Sequence, residues 1–79
     1  MLVIEKEFNN KLSDNIYKYR TLYVLSHNEE ITQEKLAEKT GLSTSMIGAI
    51  ESKRCIGSVY NLYKIANALG IKVEDLIKE

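Results

Sequence analysis

Apolar residues recur at three- and four-residue intervals through most of the chain, the period of helices that bury one face. Ile16, Tyr19 and Tyr23, with Leu12 before them and Leu22 and Leu25 beside them, predict a first helix that starts within residues 12–15 and ends near 26–28. Ser13 or Asp14 is placed to cap that start, since either side chain accepts a bond from an end N–H. A second helix is predicted over Gln33–Thr40, with Leu36 and Ala37 inward and Glu34, Lys35, Glu38 and Lys39 outward. Thr32 caps it and Gly41 stops it, glycine being the residue that turns left-handed without a Cβ penalty. Ser43 caps a third helix over 44–52, whose apolar face is Met46, Ile47 and Ile50, and residues 52–57 read as a loop. Ser58 caps a fourth helix, Val59–Leu69, with Leu62, Ile65, Ala66 and Leu69 on one stripe and Gly70 at its end. Of Tyr60 and Tyr63, one is assigned to the core and the other to the surface or a dimer contact. A fifth helix over 73–78 carries Glu74 and Asp75 in its first turn, where negative charge suits the helix dipole. Its Val73, Leu76 and Ile77 return to the core. The fold class is therefore all-α. Residues 1–11 form an N-terminal extension, either a tail or a dimer arm, ahead of one domain over 12–79. The extension's Leu2, Val3, Ile4 and Phe8 suit a short strand or a lead-in to the first helix.

Composition narrows the class. The chain has 79 residues, 44% of them hydrophobic, which is enough for one core and far from the disordered class. A core of this size supplies only about 3–5 kcal/mol of net stability. The single Cys cannot make an internal disulfide, so a reducing cytoplasm is the expected setting. No apolar run is long enough to cross a membrane, and the opening Met-Leu-Val-Ile-Glu-Lys-Glu has charges where a signal peptide needs apolar residues. Lys plus Arg equals Asp plus Glu, 11 each, for zero net charge. That balance stands against a strongly basic nucleic-acid binder.

One constellation carries chemistry. Ala37, Gly41, Ile47 and Ile50 fall at a spacing with a physical reason for each member. Two short helices joined by a tight turn cross steeply, and Ala37 is small enough for the crossing. Gly41 supplies positive φ in the turn. Ile47 and Ile50 anchor the inner face of the second helix. This is a helix-turn-helix pattern, and such a unit leads into the major groove with the N-terminal end of its second helix.

The run from Thr32 to Ser43, then Ile47, Ile50-Glu51, the stretch from Leu62 to Ile71, and the closing Val73-Glu74-Asp75-Leu76-Ile77 resemble the Cro/phage-repressor (XRE-type) helix-turn-helix family. Asn15-Ile16-Tyr17-Lys18-Tyr19-Arg20 is similar to its first helix. The resemblance implies a five-helix lambda-repressor-like DNA-binding domain, with helices 2 and 3 as the helix-turn-helix. It implies a sequence-specific transcriptional regulator, a repressor that binds a palindromic operator in double-stranded DNA as a homodimer.

The chain departs from the family pattern in three ways. The segment from Arg20 to Thr32 is longer than usual. With a gap there, Arg20 is expected to pair with Glu51; without one, Ser26 takes the place of the family's Arg. Secondly, the resemblance puts Thr44, Ser45, Gly48 and Ala49 at the base-facing positions. None is Arg, Lys, Asn or Gln, the side chains that read purines by paired hydrogen bonds. The expected interface is one of methyls and hydroxyls that leans on DNA shape. Thirdly, charge is uneven by segment. Residues 32–57 hold Lys35, Lys39, Lys53 and Arg54 against Glu34, Glu38 and Glu51, a small positive excess. Lys53 and Arg54, just past the third helix, are expected at phosphates. Gln33 and Ser43, at the starts of helices 2 and 3, are expected there too.

Other residues add no catalytic set, metal site or cofactor site, and no small-molecule substrate is evident. His27 is alone in a loop, Cys55 reads as a free thiol, and the acidic pairs Glu29-Glu30 and Glu74-Asp75 read as solvated. An enzyme is not expected. The alternative is a protein-interaction module, an antitoxin-like partner or adaptor that uses the fold without reading bases.

Overall fold

A side chain sets the start of each of the three central helices. In the computed structural model, which describes residues 3–55 and 57–78, Thr32 Oγ1 accepts from Lys35 N at 3.1 Å and opens α2 (Gln33–Thr40). Ser43 Oγ accepts from Met46 N at 3.0 Å and opens α3 (Thr44–Glu51). Ser58 Oγ accepts from Asn61 N at 3.1 Å and opens α4 (Val59–Leu69). Each hydroxyl satisfies an end N–H that the helix itself cannot. Gly41 and Gly70 close α2 and α4 in the left-handed region, at φ 76° and 73°. A short α5 (Val73–Ile77) completes the chain, its start held by Lys72 N donating to Asp75 Oδ2 at 3.0 Å.

The first helix differs from expectation. α1 runs Val3–His27, so it begins well before residue 12. Phe8, Leu12 and Ile16 lie four apart on one face and continue the apolar stripe toward the N-terminus, and neither Pro nor Gly interrupts it. Residues 3–11 are therefore helical, not a strand, and Ser13 and Asp14 are interior positions, not caps. The Leu2 end of the expected arm lies outside the described residues. At 25 residues α1 is about 37 Å long by helical rise. It spans nearly all of the molecule's 39 Å longest dimension.

The core is assembled from all five helices: Leu12 and Ile16, Leu36 and Ala37, Ile47 and Ile50, Leu62, Ile65, Ala66 and Leu69, and Leu76. Ile31, in the connection after α1, is buried with them. Three expectations for apolar side chains fail. Leu22 and Leu25 are exposed, because they lie off the face of α1 that carries Leu12 and Ile16. Tyr60 and Tyr63 are both exposed, since the buried stripe of α4 passes through Leu62, Ile65 and Leu69 and leaves them to one side. Ile77 is exposed, because α5 is too short to turn more than Leu76 fully inward. Asn15 ties this last helix to α1 by donating from Nδ2 to the carbonyls of Leu76 and Lys78, both at 2.8 Å.

Candidate nucleic-acid interface

The crossing of α2 and α3 forms as the spacing required. Ala37, Ile47 and Ile50 are buried, and Gly41 makes the turn between the helices at φ 76°. Thr40 is buried in the same turn: its hydroxyl donates to Leu36 O at 2.8 Å and accepts from Leu42 N at 3.2 Å. With Gly41 N donating to Ala37 O at 2.9 Å, the Thr40 hydroxyl and two N–H groups of the turn are satisfied within the unit itself.

Glu51, the last residue of α3, is the hub that locks this unit to α1. Its carboxylate accepts from Arg20 Nε at 2.8 Å and from a second Arg20 nitrogen at 3.2 Å. Arg20 also donates to Ile31 O at 3.1 Å, which draws in the loop before α2. The expected Arg20–Glu51 pair is therefore present, and the gapped register of the first helix is the correct one. The pair is largely shielded from water, with the side chains 18% and 8% exposed. Ser13, read as a cap from sequence alone, instead donates its hydroxyl to Glu51 O.

Gln33 joins the same hub. Its Nε2 donates to Glu51 Oε2 at 2.7 Å. One N–H of the side-chain amide is therefore turned inward, to Glu51. Its Oε1 lies on the far side, 3.6 Å from the point where a Cβ on Gly48 would stand.

The exposed residues follow from this frame. Thr44 and Ser45 project from the first turn of α3 and are exposed, beside the capping Ser43; Gly48 and Ala49 are half-buried on the next turn. Beyond α3 the chain folds back on the helix end. Ala49 O accepts from Arg54 N at 2.9 Å and from Cys55 N at 3.3 Å, and Ile50 O accepts from Lys53 N at 3.2 Å. Lys53 consequently sits in the left-handed region at φ 69°. Its Nζ lies 3.7 Å from Asp14 Oδ1 on α1, and Arg54 Nε donates to Ser52 Oγ at 2.8 Å. Both basic side chains remain exposed.

At the other edge, Lys35 and Glu29 bond at 2.9 Å beside the start of α2. The bond and the opposite charge hold the Glu29 carboxyl below its ordinary range and the Lys35 ammonium above its own. His27 ends α1 with its ring stacked on Tyr23, centroids 3.8 Å apart. Cys55 is a half-buried free thiol, its sulfur 3.9 Å from Met46 Sδ.

Three comparisons place this arrangement. A family model described as helix-turn-helix matches residues 28–76, which takes in α2 to α5 except the last residue of α5. An uncharacterized HTH-type transcriptional regulator of Methanocaldococcus jannaschii is 38% identical over 65 residues, covering 82% of this chain and 89% of the relative. The crystal structure of a hypothetical transcription factor from Neisseria superposes with a TM-score of 0.74 at 28% identity. That match covers 94% of this chain and 78% of the other.

Proposed function

Because this chain belongs to the XRE-type helix-turn-helix family of DNA-binding transcriptional regulators, we propose that it is a cytoplasmic repressor that binds a palindromic operator as a homodimer. The observation that carries this reading is the exposed first turn of α3. Thr44 and Ser45 are exposed, and the largely shielded Arg20–Glu51 pair at the other end of α3 fixes the helix.

In this reading α3 enters the major groove with Thr44, Ser45, Gly48 and Ala49 toward base edges. Hydroxyls bond several bases, and the methyls of Thr44 and Ala49 suit the thymine methyl. Lys53 and Arg54 hold phosphates on one side of the groove. Ser43 and the backbone N–H groups at the start of α2, where Gln33 stands, hold them on the other. The exposed Val59, Tyr60 and Tyr63 of α4 supply the face that a second copy covers. A symmetric dimer then sets its half-sites about 34–36 Å apart.

A gel-shift assay with genomic fragments over a salt series tests the reading. Binding to a small set of fragments that weakens steeply with salt is the expected result. Absence of binding to any fragment at low salt sinks it and turns attention to the protein-interaction alternative.

A further inference from the structure

The proposed recognition surface poses a problem. Thr44, Ser45, Gly48 and Ala49 include no side chain able to make a directional, two-atom contact with one base. Hydroxyls bond several bases and methyls read only thymine, so shape and these contacts leave direct discrimination at any one base pair weak. We infer that Gln33, from the neighbouring helix, is the missing specificity-determining residue. Its Oε1, presented over Gly48, accepts a hydrogen bond from a base amino group in the major groove. This rests on the reading of α3 as the groove-entering helix.

The orientation of the Gln33 amide is set by chemistry. A carboxylate accepts and cannot donate, so the edge facing Glu51 must be the nitrogen. The 2.7 Å bond to Glu51 Oε2 is charge-assisted. Glu51 is itself fixed by Arg20 and is almost wholly shielded from water. The carbonyl oxygen is therefore held away from Glu51, on the side where it faces Gly48 at 3.6 Å. Among the described residues no donor is bonded to it.

Gly48 matters here for what it lacks. Any side chain longer than a methyl at that position would stand between Oε1 and the groove. Small neighbours at 44, 45 and 49 leave the same opening. The result is a fixed acceptor beside a helix whose own face is shallow. Major-groove donors are the N6 amino group of adenine and the N4 amino group of cytosine; guanine and thymine present acceptors there. Gln33 thus selects adenine or cytosine at one position of each half-site.

Selection of bound DNA from a random pool identifies that position for the wild-type protein. The selected adenine is then replaced by purine, or the selected cytosine by 2-pyrimidinone, either of which removes only the amino group. Wild-type affinity is expected to fall about three- to tenfold, the worth of one hydrogen bond. Gln33→Met is expected to be indifferent to the same replacement and to lose its preference at that position alone. A thermal melt confirms that the variant folds. Should Gln33→Met fail to fold, Gln33→Asn, which keeps an amide but withdraws it by one methylene, is used in its place. Equal sensitivity of variant and wild type overturns the inference, as does a uniform loss across all positions. So does a wild-type preference with no amino-bearing base that matters. If the wild type selects no DNA at all, the reading of α3 fails first and Gln33 falls with it.

Discussion

At the residue scale, Lys53 stands out because its backbone and its side chain pull in opposite directions. Its φ of 69° is a conformation in which a residue with a Cβ costs about 1–2 kcal/mol more than glycine. The surrounding bonds from residues 53–55 to the end of α3 impose it. Nothing in the packing asks for a lysine: the side chain is exposed and its pairing with Asp14 is long and solvated, worth well under about 1 kcal/mol. The charge is what the position retains. Lys53→Gly is therefore expected to raise stability by roughly 1 kcal/mol in urea titrations. It is also expected to weaken DNA binding about equally on all sequences and to reduce the salt slope by about 0.9 per subunit, about 1.8 for a dimer on a full palindrome. A variant that binds as tightly as the wild type would remove Lys53 from the phosphate contacts.

At the scale of elements, the joint between α1 and α3 governs stability. Removing Arg20 leaves the shielded Glu51 carboxylate with only Gln33 as a side-chain donor, a cost of up to about 3–5 kcal/mol. That equals the whole stability expected of a core this small, about 3–5 kcal/mol. Arg20→Ala is therefore expected to be largely unfolded at 25 °C by circular dichroism, while the apolar pair Arg20→Met with Glu51→Leu recovers much of the loss. α5 offers a gentler test. Lys72 N–H bonds the Asp75 carboxylate and holds its pKa below the usual value. A lowered folded-state pKa means that the stabilisation is complete above the ordinary aspartate range and is lost as pH falls through the lowered value. The gap in melting temperature between wild type and Asp75→Ala is accordingly expected at neutral pH and should close on acidification; a constant gap would remove the charged bond from α5. These elements also show what the sequence exposes and what it hides. α2 and α4 were readable to the residue because a hydroxyl cap and a glycine bracket each one. The start of α1 was not, because its stripe continues past Ser13 and Asp14 with no breaker to stop it. The Arg20–Glu51 pair was legible through the family resemblance. The Gln33 bond to the same carboxylate was not, because residues 18 apart meet only after the turn has folded.

At the scale of the whole molecule, zero net charge and DNA binding are reconciled by location and by number. Glu51, at the end of α3, is neutralised within the fold by Arg20, and Glu29, near the start of α2, by Lys35, while Asp14 beside Lys53 remains exposed. That leaves Lys53 and Arg54 as the cations the proposal assigns to phosphates, two per subunit. Two contacts release only about 1.8 counterions per subunit, a small electrostatic contribution to binding. A dimer doubles them. With about 0.9 counterions released per phosphate, the dimer's log–log salt slope is expected near about −3.6 on a full palindrome and about −1.8 on an isolated half-site. In the proposed dimer the α4 face makes that doubling. Val59, Tyr60 and Tyr63 are 77%, 65% and 58% exposed, a set of large side chains that a second copy would remove from water. Tyr60→Glu combined with Tyr63→Glu places two charges in that contact without touching the core. It is expected to convert the dimer to a monomer in sedimentation equilibrium. It should also flatten the full-site slope to the half-site value, while the melting temperature of dilute protein falls only as far as lost dimerisation requires. Should the variant keep both the dimer mass and the steep slope, α4 is not the dimer face and the contact lies elsewhere, with the exposed Tyr17 and Val24 of α1 the next surface to substitute.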